Sequence, residues 1–399
     1  MGSGRAHAAH FNRTGGPFQP AGMQGPKPAA ILLAADCREI QSNMAFNPFK
    51  RSIASYAAEP ENNYLLLRFV AALLVIYGHS YAITKLPGHE DLVQRLLRFT
   101  YAGGVGVDVF FVISGFLVTA SYLNRRSWSE FMKARCLRIF PGLIVCVLAI
   151  AFLLGPFVTT LSPAEYLFGS QLYTDLLHSL TLHLHLPGVF EQLPQQTVNG
   201  SLWTLPPEFV LYVLVGVAGV SGVLFSPRIY LPLIVCLGAL GIVLTGRVHF
   251  FEERELYLRL FVLFGAGSLV RVFAGRIPLS TWLLVAAAVP VALLYRTELF
   301  PDAFSVWLVY AVFWLAYVPN LRGFNRTGDY SYGLYIYAFP IEQTLRQSFP
   351  AILPLELFAV ASVLTLGCAM LSWHFIEQPA LKLKNVRFRD FLRRRATVT

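Results

Sequence analysis

The sequence predicts an all-α polytopic membrane protein of about ten transmembrane helices, with both termini cytoplasmic. Three observations predict it. Hydrophobic residues make up 55% of the 399-residue chain and charged residues only 14%, where a soluble domain carries about 25% charge. The apolar residues recur in runs close to the roughly 20 that a helix needs to cross a bilayer core. The basic residues behind the net charge of +10 sit in short connections between those runs and in the C-terminal tail, which is a positive-inside pattern. That placement makes the lipid bilayer, and not nucleic acid, the partner of the charge.

In chain order, residues 1–60 read as an N-terminal tail. The first 43 are rich in Gly, Pro and Ala without sustained periodicity, so the tail is expected to be largely disordered. Ala29–Ala35 is too short for a signal-peptide core, and Met44 is a second candidate start, with Lys50 and Arg51 just ahead of the first span. Residues 61–381 form the membrane domain. Its spans are expected at roughly 64–84, 102–123, 137–157, 203–225, 229–246, 256–273, 279–296, 303–319, 331–349 and 354–376. Residues 382–399 are a basic cytoplasmic tail. Arg125, Arg126, Lys133, Arg135 and Arg138, then Arg228, then Arg271 and Arg276, then Arg322 and Arg326, mark the cytoplasmic connections, while Ile139 to Pro227 contains no Lys or Arg. The five cysteines (Cys37, Cys136, Cys146, Cys236, Cys368) have no metal-ligand spacing and read as small hydrophobes.

The first span holds two ionisable residues, Arg68 and His79. Such groups inside a bilayer are costly and usually functional. Eleven residues at about 100° each return to within about 20° of the same helix face, about 16 Å further along. The pair is therefore expected to line one groove at two depths, suited to a long ligand with its anionic end near Arg68 and its reacting end near His79. The second span opens Gly103-Gly-Val-Gly106-Val-Asp108 and runs on to Ser114-Gly115. Its small residues allow close helix approach. Asp108 needs a partner: His79, whose tautomer a carboxylate can fix, or a hydrogen bond to another span.

Arg135 and Arg138, three apart, share a helix face where a cytoplasmic helix meets the membrane. Guanidinium pairs grip phosphates bidentately; topology or anionic lipid headgroups would explain them too. Further on, Asn199-Gly-Ser201-Leu-Trp203-Thr-Leu-Pro-Pro-Glu208 enters the fourth span. Glu208 is a second intramembrane carboxylate, and Trp203 is either an interfacial anchor or a platform for a sugar ring. The preceding loop, 158–200, is the longest on the outer side and could shape an acceptor cleft. Its His178, His183 and His185 lie among leucines, without carboxylate or Cys partners for a metal, and no metal is assigned. The ninth span begins Asp329-Tyr330-Ser-Tyr332-Gly-Leu-Tyr335, and the tenth ends Phe375-Ile-Glu377-Gln-Pro379.

Together these segments resemble acyltransferase family 3, the integral-membrane O-acyltransferases of O-antigen and exopolysaccharide modification, from about Tyr64 to Leu381. The resemblance implies an acyl-CoA donor, most often acetyl-CoA, taken from the cytoplasm. It implies a carbohydrate acceptor at the outer side of a bacterial inner membrane, with polysaccharide-assembly proteins as possible partners. Carried over by position, His79 is the catalytic histidine with Arg68 its partner, and Arg135 and Arg138 contact the phosphates of coenzyme A. Asp108 is added as the residue orienting His79, and Trp203, Glu208 and Ser114 as substrate-side residues. Many relatives have a His after the tyrosines of the ninth span, where this chain has Ala338, so no role is carried over there. Two rivals remain from the residues alone: a transporter or flippase for a glycan intermediate, and an acyl-conduit subunit serving a separate transferase.

Overall fold

The computed structural model describes residues 51–59, 61–178, 184–247 and 254–385. The expected disorder of residues 1–43, His183 and the tail beyond residue 385 lie outside them. The principal helices are α1 (Ile53–Ala57), α2 (Tyr64–Thr84), α3 (Ala102–Arg125), α4 (Trp128–Ala149), α5 (Leu205–Val220), α6 (Pro227–Arg247), α7 (Arg254–Val272), α8 (Thr281–Leu293), α9 (Phe300–Tyr317), α10 (Ser331–Ser348) and α11 (Pro354–Ser372). Among the described residues, six helical stretches are long and apolar enough to cross a membrane: Tyr64–Thr84, Ala102–Arg125, Trp128–Val158, Gly200–Val220, Phe300–Tyr317 and Pro354–Lys382. Pro227–Leu240 and Thr281–Leu293 are shorter apolar helices. In the positions of the expected sixth and ninth spans, α7 and α10 carry buried polar side chains such as Ser268, Glu342 and Gln343. Large apolar side chains such as Phe157, Val306, Val363 and Phe375 face outward, as they do where lipid is the solvent. The protein is a membrane protein.

Within the residues read as the tail, those from Ile53 to Ala57 form α1, which is docked: Ile53 is buried, and the Ile53 and Ala54 amides donate to the carbonyls of Ile277 and Ala274, each at 3.0 Å. An isoleucine with a buried pocket and two satisfied amides outweighs a composition that otherwise reads as loop.

Small residues set the packing of α3 between two neighbours. Gly103 and Gly106 lie on one face, where a Cβ at Gly106 would run into the Ala71 carbonyl of α2. A second stripe at Asp108, Val112, Gly115 and Thr119 (steps of four, three and four) faces α7. There a Cβ at Gly115 would strike the Phe264 carbonyl, one at Gly267 would strike that of Val112, and Thr119 and Ser268 share a 2.5 Å hydrogen bond. Close backbone approach through small residues is how helices associate without a hydrophobic driving force.

α10 runs through the centre and bonds to both sides of the structure. Its Pro340 has no N–H, which frees the Ile336 carbonyl four residues earlier. That carbonyl accepts from Asn199 Nδ2 at 2.9 Å and from Cys146 Sγ at 3.3 Å. Gln343 Nε2 donates to the carbonyls of Gln195 and Thr197 at 2.5 and 3.0 Å, and Gln347 to that of Val158 at 3.1 Å. The segment leading into α5 is thereby tied to this helix. Backbone groups released by a membrane proline need such partners.

Candidate functional site

At the start of α10, two guanidinium groups converge on one carboxylate. Arg68 of α2 and Arg138 of α4 each donate to Asp329 Oδ2 at 2.7 Å, and Ser331 Oγ donates to Oδ1 at 2.6 Å. Burial works to raise the Asp329 carboxyl. Arg138, Arg68 and the Ser331 bonds outweigh it and hold the group well below the usual carboxylate range. Arg138 also lies 3.6 Å from Glu377, which accepts from Ser372 Oγ at 2.9 Å. Glu377 is delivered by a π-helical turn at Trp373–Glu377, the kind of local widening that often marks a functional position.

Next to this clasp is a cavity of about 100 Å3. Its walls include Arg68, Arg135 and Arg138, together with Ser114, Glu208 and Tyr212. Five of the eight residues singled out in the sequence therefore meet around one space. Arg135 lies over the Tyr212 ring, 5.7 Å from its centroid, and its Nε is buried without a hydrogen-bond partner. Ser114 Oγ donates to Glu208 Oε1 at 3.2 Å, and Tyr212 donates to the same oxygen. Three guanidinium groups border this cavity, and Arg135, whose Nε is unpartnered, is the readiest of them to receive an anion.

His79 lies further along the same helix pair. Thr204 and Tyr335, with hydroxyls 2.7 Å apart, line the cavity. One turn beyond Tyr335 is Phe339, whose ring meets His79 edge-on at 5.1 Å and 82°. The expectation that Arg68 and His79 share a helix face agrees with this, since both meet α10. The expectation of one open groove between them does not. Ala72 and Ile76, on that face between them, are buried with Leu334 and Ala338 of α10, and His79 is not part of the cavity wall. Small and branched apolar side chains at those positions let the two helices close on each other.

The pairing of Asp108 with His79 is also corrected. Asp108 is held by Arg259 of α7, with Nε donating to Oδ1 at 3.0 Å and Nη2 to Oδ2. Its position on the stripe that faces α7 turns it away from α2. The carboxylate near His79 is instead Glu342 of α10, with Oε2 at 3.7 Å from Nδ1. Glu342 is fully buried, and its Oε1 accepts from Ser80 Oγ at 2.6 Å. Trp203 does not line the cavity and packs edge-on against Tyr257 at 5.7 Å. In the connection between α4 and α5, His185 faces Asp175 at 3.4 Å.

Sequence reasoning missed Asp329, Arg259 and Glu342 as members of these clusters. Arg259 and Glu342 each interrupt an apolar run, which is the signal that singled out Arg68 and His79. Asp329 sits at a helix start, where an acid attracts no notice.

Comparisons with known proteins give the family. A family model described as an acyltransferase domain matches residues 63–374. The chain is 30% identical over 329 residues to an O-acetyl transferase of Shigella phage Sf6, covering 78% of this chain and 93% of the relative. It is 29% identical over 360 residues to Nodulation protein 10 of Rhizobium leguminosarum bv. viciae (81% and 94% covered). It is 30% identical over 310 residues to Exopolysaccharide production protein ExoZ of Rhizobium meliloti (71% and 92% covered). No solved structure matches the chain.

Proposed function

This chain belongs to the acyltransferase-domain family, and from that premise we propose that it moves an acyl group, acetyl in the first instance, from cytoplasmic acyl-CoA to a hydroxyl of a cell-surface polysaccharide or oligosaccharide. The named relatives act as an O-acetyl transferase and in nodulation and exopolysaccharide production, which favours a glycan acceptor. In this reading the protein sits in a bacterial inner membrane with both termini cytoplasmic. The basic connections support that orientation.

One observation carries the reading: three arginines from two helices gather at a cavity that Tyr335 also lines, one helix turn from the Phe339 that meets His79. The phosphates of the donor meet Arg135 first, with Arg68 and Arg138 behind it. To reach His79 the pantetheine arm must pass beyond the cavity wall at Tyr332 and Tyr335, through packing around Phe339 that is closed in this structure, so binding of the donor has to part the helices there. Nδ1 of His79 faces Glu342, so Nε2 is the nitrogen turned towards substrate. It takes the proton of the acceptor hydroxyl as general base. The hydroxyl oxygen bonds to the thioester carbonyl carbon, the C–S bond breaks, and the coenzyme A thiolate leaves and recovers the proton from the imidazolium. An acyl-enzyme route would instead need a nucleophile, His79 or Ser114, the latter donating its hydroxyl to Glu208; direct transfer is the route proposed here.

The test is a deletion strain complemented with wild type or His79→Ala, with O-acetyl groups on the surface polysaccharide read by proton NMR. Restoration by wild type alone, at equal membrane levels, is the expected result, and the acetylated sugar then names the acceptor. Restoration by both removes His79 from the chemistry. A change in polymer export without any change in acylation points to a transporter.

A further inference from the structure

We infer that Glu342 is the positioning carboxylate of His79, closing on Nδ1 as the ring takes up its proton. The inference deepens the proposed function and rests on its assignment of His79 as base. A carboxylate with no exposed surface is expensive to bury and normally has every oxygen satisfied. Glu342 has only one satisfied. Ser80 Oγ fixes Oε1, while Oε2 has no hydrogen-bond partner. The nearest basic atom is His79 Nδ1, also buried and without a partner. The two face each other at 3.7 Å, too far for a hydrogen bond and near enough for a small rotation to make one.

The surrounding residues restrict the direction of that rotation. Ser80 follows His79 directly in α2, so the residue that anchors the carboxylate is the histidine's own neighbour. Phe339 and Glu342 are three apart on α10 and share a face, so the aromatic ring that holds the imidazole edge-on and the carboxylate that meets it come from one rigid element. Other charged groups on the neighbouring helices are committed elsewhere: Arg68 to Asp329, Asp108 to Arg259, and Arg346 to the carbonyls of Pro350 and Thr84. Among the described residues, Glu342 supplies the carboxylate within 4 Å of a ring nitrogen. As the acceptor's proton reaches Nε2, the imidazolium becomes a double donor, and its Nδ1–H completes the bond that Oε2 lacks. The neutral ring is thereby held in the Nδ1–H tautomer, with Nε2 free to accept.

The experiment uses full-length protein in nanodiscs, acetyl-CoA, and unacetylated polysaccharide from the deletion strain as acceptor. Release of coenzyme A is followed from pH 5 to 9. Glu342→Gln keeps the Ser80 bond, since the amide oxygen still accepts, and is expected to melt with wild type. Its kcat is expected to fall about 100-fold, the lower range for loss of acid–base assistance, with KM for acetyl-CoA unchanged. The acid limb of its rate profile should move to lower pH, because a base without its carboxylate binds the proton less tightly. Glu342→Asp should recover a substantial part of the loss. A Glu342→Gln protein with wild-type kcat and profile, beside an inactive His79→Ala, overturns the inference and leaves the proposed function standing. A loss of rate with an unmoved profile and no recovery by Asp assigns Glu342 a structural role and also overturns it. Wild-type activity in His79→Ala removes the assignment on which both rest.

Discussion

Replacing Asp329 by Asn removes one charge and almost no volume, and the consequence follows from the clasp geometry. Two guanidinium groups donate to a single oxygen, each at 2.7 Å. A pair of unit charges about 4 Å apart interacts by about 4 kcal/mol at an effective dielectric of 20, before the desolvation already spent is counted. Breaking a buried ion pair from one side costs about 3–5 kcal/mol, because the surviving charge stays unpaired. Asp329 keeps about 16% of its side chain exposed, and Arg138 and Arg68 keep 14% and 22%, so the lower end of that range applies. Glu377, 3.6 Å from Arg138, compensates only one of the two arginines. A loss of about 3 kcal/mol should lower the melting temperature by roughly 4–5 °C, since the unfolding entropy is about 2.1 cal/mol/K per residue over a domain of this length. The sign with pH is fixed. A carboxyl held below its usual value in the folded protein contributes stability that is complete above the unfolded pKa of about 3.9 and is lost as pH falls towards the folded value. The gap between wild type and Asp329→Asn should therefore be constant from pH 5 to 8 and narrow below about pH 4. Intrinsic-tryptophan melting in detergent measures it. Equal melting of the two proteins at neutral pH would refute the clasp as a source of stability.

Three other outcomes are expected. Arg135→Ala should raise KM for acetyl-CoA about tenfold, equivalent to about 1.4 kcal/mol, with little change in melting, whereas Arg138→Ala should lower the melting temperature because it strands Asp329 and Glu377; steady-state kinetics beside thermal melts separate the two. Asp108→Ala and Arg259→Ala should each destabilise by about 3 kcal/mol, while the double variant loses much less than their sum, since neither charge is then left alone in the bundle; a double-mutant cycle in melting checks it, and additivity counts against the pair. The rate of acyl transfer should fall on the acid side of the His79 titration, since general-base chemistry needs a neutral imidazole; a rate that stays flat down to the pH at which the protein unfolds would remove His79 as the base.

How much of this was legible in the sequence differs from residue to residue. The helical segments were legible because bilayer thickness imposes a length that apolar runs report directly. Arg68 and His79 were correctly put on one face because helical periodicity is local. Whether the space between them is open is a property of the helix opposite, and Ala72, Ile76, Leu334 and Ala338 close it. Asp108 was misassigned for a related reason. α3 has a small-residue stripe on each of two faces, and nothing in its own sequence says which neighbour lies on which stripe. Gly115, seven residues beyond Asp108, lies against α7, and that settles the partner as Arg259. Glu342 is 263 positions from His79 and only packing relates them, although a glutamate in an apolar helix marked itself as a position to explain.

The clasp also bears on how the donor is captured. Around the cavity, Arg68, Arg135 and Arg138 stand against Asp329, Glu377 and Glu208. Cations and anions balance in number, so little net field reaches beyond the Debye length into the aqueous phase. A polyanion would then be held by short-range hydrogen bonds once inside, not drawn in from a distance by the cavity. Association with acetyl-CoA should accordingly depend only weakly on ionic strength, in contrast to the steep dependence of an open basic trough.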